Sequence, residues 1–89
     1  MANRFFKDPQ AEKDATWDWT EWLDDGETIT AATVTASGVT SGPVIVTSPL
    51  VVCRISGGTA GATGAATCRI TSSAGQIDDR TMYFVIREQ

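Results

Sequence analysis

Near the C-terminus Met82, Phe84 and Ile86 alternate with Thr81, Tyr83, Val85 and Arg87, a period of two that predicts a strand with one core-facing side. Toward the N-terminus Trp17 and Trp19 share one parity, and Thr16 and Asp18 the other, which predicts a strand that drives two rings into a core. Cys53 lies between Val51 and Ile55 at spacing two, and Cys68 likewise between Ala66 and Ile70, so both cysteines take inward strand positions. Strands are predicted near 14–20, 28–36, 43–48, 50–56, 65–72 and 79–88, with a seventh short one near Gly38 to Ser41.

Between them lie turn residues. Asp24-Asp25-Gly26 turns the chain, since glycine supplies the positive φ of tight turns and aspartate caps local donors. Ser56-Gly57-Gly58-Thr59-Ala60-Gly61 and Ser72-Ser73-Ala74-Gly75-Gln76 read as hairpin links, which makes Val51 to Ile70 an antiparallel pair, and Asp78-Asp79-Arg80 caps the turn before the last strand. Short strands at this spacing point to an all-β, immunoglobulin-like antiparallel β-sandwich, with an open barrel as the alternative.

Residues 1–12 follow neither period, and Pro9 interrupts ladder pairing. They form an extended N-terminal arm, and residues 13–89 the sandwich. Phe5 and Phe6 on that arm either fold back onto their own domain or dock on a neighbouring protein.

Charge divides the chain. From Asp8 to Glu27 there are eight acids against one base, Lys13, whereas Thr28 to Ile77 carries only Arg54 and Arg69. At 89 residues and net charge −4, the sequence describes one domain without the clustered basic face that nucleic acid or an anionic membrane requires. The absence of a long apolar run and of a basic-then-apolar leader leads to the expectation of a chain made and used from the cytosol.

No catalytic apparatus is legible. The sequence has no histidine, so neither a Ser-His nor a Cys-His pair exists, and two cysteines are too few for a four-ligand zinc site. Asp24-Asp25-Gly26-Glu27 lacks the alternating oxygen ligands of a calcium loop and reads as a solvated face. No catalytic, cofactor or metal residue is assigned.

Seven segments in order carry a resemblance: Lys7-Asp8-Pro9, Trp19-x-x-Trp22-Leu23, Gly26-Glu27-Thr28-Ile29, Ala32-Thr33-Val34, Ser56-Gly57-Gly58-Thr59-Ala60-Gly61, Thr67-Cys68-Arg69-Ile70 and Asp78-Asp79-Arg80-Thr81. Together they resemble the small phage fiber-tail adaptor family over nearly the whole chain. Gly38 to Leu50 matches only loosely, and Gly64-Ala65-Ala66 stands where relatives carry bulkier residues. The resemblance implies a virion structural protein, assembled in the host cytoplasm, present in several copies in a symmetric assembly around a tail, and joining fibers to it without cofactor or turnover. On that reading Phe5, Phe6 and Pro9 form the docking arm, and Trp22, Tyr83 and Val85 a contact face, with a third core ring as the competing role for Trp22. A capsid decoration protein and a small ligand-binding module with Trp22 and Tyr83 in one groove are the alternatives.

Overall fold

The computed structural model describes residues 4–88 and contains seven strands: β1 (Arg4–Lys7), β2 (Lys13–Asp18), β3 (Ile29–Ser37), β4 (Thr40–Thr47), β5 (Leu50–Ser56), β6 (Thr63–Ser72) and β7 (Ile77–Ile86). They form a four-stranded sheet in the order β1-β7-β6-β3 and a three-stranded sheet in the order β2-β5-β4. The two face one another as a sandwich, compatible with the immunoglobulin-like expectation. β-branched residues fill β3, β4 and β5, where a pleated, half-buried surface suits them.

Alternation sets the core. Ala15 and Trp17 from β2, Val51, Cys53 and Ile55 from β5, Ala66, Cys68 and Ile70 from β6, and Phe84 and Ile86 from β7 are all buried between the sheets. Trp19 is wholly buried although it lies one residue beyond β2; its N–H donates to Pro49 O at 3.0 Å, which holds the chain against the sandwich after the ladder stops. The N–H groups of Trp22 and Leu23 both donate to Trp19 O at 3.0 Å, so the chain coils there and seats the Trp22 ring edge-on against Trp19, centroids 5.6 Å apart.

Three expectations need correction. β5 and β6 are not a hairpin: each belongs to a different sheet, and the link after Ser56 crosses between them. The period-two signal of both strands is the same whether the pair is in-plane or stacked, so sequence alone could not separate the two. The residues near Gly38 to Ser41 are not a strand of their own, since β4 begins at Thr40 and Gly38 (φ 74°) makes the corner from β3. Asp78, Asp79 and Arg80 lie inside β7 rather than in the turn before it. Of the two courses open to the arm, its described part takes the first and folds back: Arg4–Lys7 pairs in parallel with Tyr83–Ile86, and Asp8 to Glu12 then carries the chain to the other sheet, while residues 1–3 lie outside the described residues.

The short parallel ladder of β1 is reinforced by side chains. Lys7 is completely buried, its Nζ donating to Gly57 O at 2.5 Å and Asp8 O at 2.9 Å, so the ammonium replaces water with backbone carbonyls. Arg87 N donates to Lys7 O at 2.9 Å and extends the pairing past β7.

Cys53 and Cys68 are free and buried, and burial pushes both thiols up, that of Cys68 to about 11. Since the thiolate is the reactive form, neither should react with an aromatic disulfide reagent in the native protein, and both should label at once in denaturant. Rapid native labelling would contradict this packing.

Candidate functional site

Parallel pairing of β1 with β7 places Phe6 beside Val85 and Phe5 beside Phe84, and pairs in register share a face of the sheet. Phe84 is buried, so Val85 and Tyr83 point outward, and Phe6 joins them. Opposite them on β6 stand Thr63 and Ala65, and the next row pairs Thr67 with Thr81, their hydroxyls 2.8 Å apart. β3 continues these rows with Thr35 and Ser37. Phe6 and Tyr83 are each about half exposed, and the Arg87 guanidinium lies 3.9 Å from the centre of the Phe6 ring. The β6 and β7 positions from Thr67 and Thr81 to Thr63 and Val85 bear no charge; Arg69 meets Asp79 at 2.7 Å a row further on at one end, and Arg87 stands over Phe6 at the other. A threonine-lined patch with two aromatic projections and charges only at its ends is suited to contact with protein.

The remaining candidates do not lie on this face. Phe5 turns toward the interior edge, its ring 6.1 Å from that of Phe84. Pro9 follows Asp8 in a tight turn, where Gln10 N donates to Asp8 Oδ1 at 2.8 Å and Ala11 N to Asp8 O at 3.0 Å; proline suits the second position of such a turn. Trp22 packs on Trp19, and Trp19 in turn lies beneath Arg80, whose guanidinium is 4.3 Å from the ring centre. Arg80 shares the inward parity of Met82 and Phe84, opposite to Tyr83. Trp22 and Tyr83 are thus on different sides of the sheet and do not frame one groove.

A second feature lies at the flank where β1 and β2 form the edges of their sheets. There a groove of 620 Å³ opens between Phe5, Met82 and Phe84 on one wall and Lys13 to Thr16 on the other, with Phe6 also at its border. Sequence reasoning missed it because no residue in it is unusual; it exists only because β1 joined the opposite sheet from β2. Arg87 over Phe6 and the buried Lys7 also carry no local sequence signal.

The acidic segment is tied into turns. Ser72 Oγ donates to Glu27 Oε2, and Asp24 N donates to Glu27 Oε1 at 2.8 Å, so the carboxyl is held below its ordinary value of 4.5. The Thr20 hydroxyl and N–H likewise lower Asp18. A carboxyl whose folded value is depressed gives stability that is complete above the unfolded value and lost as pH falls through the folded one. Melting temperature should therefore fall as acid is added below pH 4.5, and Glu27→Gln should flatten that fall in part. An identical acid profile for the two proteins would show that Glu27 contributes nothing. Among the described residues no group of three or more His, Cys, Asp or Glu side chains is placed to hold a metal.

Residues 7–85 match the family described as Podophage GP4 fiber-tail adaptor protein gp77. No curated protein matches the chain.

Proposed function

From the premise that this chain belongs to the podophage fiber-tail adaptor family, we propose that it is a passive connector in the phage tail, joining fiber and tail proteins in several symmetric copies. It turns over no substrate, holds no cofactor, binds neither nucleic acid nor membrane, and assembles in the host cytoplasm before it is built into the virion. The single observation that supports this most is the threonine-lined patch on the outer face of the four-stranded sheet, bounded by the Arg69–Asp79 pair and by Arg87, with Phe6, Tyr83 and Val85 on adjacent strands. Phe5 and Pro9 act by setting the path of β1, and Trp22 adds a partly exposed ring at the end of the sandwich.

Removal of residues 1–12 would not test the contact face alone, because it also strips β1 and Lys7 from the core edge. Substitution on the outer face is cleaner. Tyr83→Arg should leave the unfolding midpoint nearly unchanged, since the side chain is half exposed. It should also lower the amount of the protein in purified particles by about tenfold or more, as loss of an interface hot spot does. Normal incorporation of a folded Tyr83→Arg protein would overturn this assignment of the contact face.

A further inference from the structure

We propose that the outer edge of β2 is an acceptor for an added strand: a partner in the tail, beyond its contact with the outer sheet face, inserts an extended segment alongside Lys13–Asp18 and fills the groove beneath. This inference rests on the adaptor reading above and specifies a second surface, as a connector between two proteins requires.

The two flanks of the sandwich differ. On one, β3 runs directly into β4 and the two strands lie against one another, so the sheets are joined. On the other, β1 and β2 are connected through Asp8 to Glu12 but do not pack closely along their length, and the 620 Å³ groove remains between them. An edge strand presents unpaired N–H and C=O groups at alternate residues, and proteins commonly block such edges with proline, bulges, brevity or charged side chains. Those devices protect the other three edges. β4 carries Pro43 and a register shift between Ser41 and Val44, β3 shifts between Ile29 and Ala31, and β1 has only four residues. β2 pairs with β5 in unbroken register over its six residues and contains neither proline nor glycine; its charges, Lys13, Asp14 and Asp18, stand toward its two ends and leave Ala15 to Trp17 without one.

The groove beside this edge defines the chemistry of its occupant. Phe5, Ala15, Met82 and Phe84 give it an apolar floor, which accepts alternate side chains of an extended segment, the other set facing solvent. Its two charges are unequal in status. Asp14 is engaged by Arg54, Nε to Oδ1 at 2.6 Å, whereas Lys13 has no ionic partner among the described residues. The complementary segment is therefore about six residues long, apolar at every second position, with an acidic residue abreast of Lys13; main-chain bonds to β2 provide affinity, and the groove and Lys13 provide register.

The test uses the full chain in assembled particles. A photo-reactive benzoylphenylalanine placed at Thr16, an exposed groove residue, should on illumination of purified particles form an adduct with a tail or fiber protein. The adduct should map to an extended segment containing an acid. The same group placed at Thr33, on the outer face of β3, should not label that segment. Lys13→Glu should lower incorporation into particles by about tenfold with an unchanged unfolding midpoint, because a carboxylate would then face a carboxylate. An adduct only with a second copy of this chain, or no adduct in tails that contain the protein, would overturn the strand-acceptor proposal and leave the adaptor reading standing. Absence of the protein from tails would overturn both.

Discussion

Trp19→Ala should destabilise the protein by about 3–5 kcal/mol, the range for deleting a large buried aromatic. Trp19 has no exposed surface, packs edge-on against Trp22, and supports Arg80, which also donates to Asp18 O at 3.0 Å. Truncation leaves a cavity where β2 ends and removes the surface on which the 18–23 segment rests. A chain of this size has a total stability on the order of 5–10 kcal/mol, so the variant should be partly unfolded at 37 °C and its urea midpoint far lower. Trp22→Ala should cost less, about 1–2 kcal/mol, because that ring is only partly buried. If the two variants lost similar small amounts, Trp19 would not be the centre of the core.

The second large effect is expected at Gly58, in the link that crosses from β5 to β6. Its φ is 107°, a conformation side chains rarely adopt, and an added Cβ would lie 2.9 Å from both Cδ1 and Cγ1 of buried Ile86. Backbone strain and overpacking each cost about 1–3 kcal/mol, so Gly58→Ala should lose about 2–4 kcal/mol. The neighbouring Gly57 carbonyl is held by Lys7, so the same change should loosen β1 and speed amide exchange at Phe5 and Phe6. Gly61 provides the control for local space: it also has positive φ, 88°, but nothing lies within 4 Å of its added Cβ, and Gly61→Ala should cost only the backbone term. Equal losses at the two positions would show that Ile86 is not the obstacle.

How far the fold was legible follows from these elements. Strands β2, β5, β6 and β7 each leave a trace of alternation in the sequence, because each buries one side against the opposite sheet, whereas β3 and β4 are legible from their β-branched residues. Which strand lies in which sheet leaves none. The inward parity of Cys53 and of Cys68 was readable, yet in-plane neighbours and residues on opposed sheets obey the same parity. β1 was invisible for a different reason: four residues are too few to show a period, and its two inward positions are filled by a phenylalanine and a lysine. Lysine at a fully buried position makes sense only once the Gly57 and Asp8 carbonyls are brought to it by the fold.

The surfaces divide in the same way. Tyr83 and Val85 could be assigned to the outward side of the last strand from alternation, and Phe6 joins them only through the register with Val85. The segment from Lys7 to Thr81 that resembles the family is covered by the match to residues 7–85, so the adaptor role was accessible from ordered motifs that each mean little alone. The groove at β2 was not accessible at all, since it depends on where two strands far apart in the ladder order come to rest.

The central claim is that this protein is a connector of the phage tail, and the most direct measurement is its copy number in purified particles, by quantitative mass spectrometry against the major capsid protein. The account predicts a small number per particle, set by the symmetry of the tail and retained in isolated tails. Hundreds of copies that stay with the heads would contradict it and identify a capsid decoration protein, and absence from particles would exclude a virion role altogether.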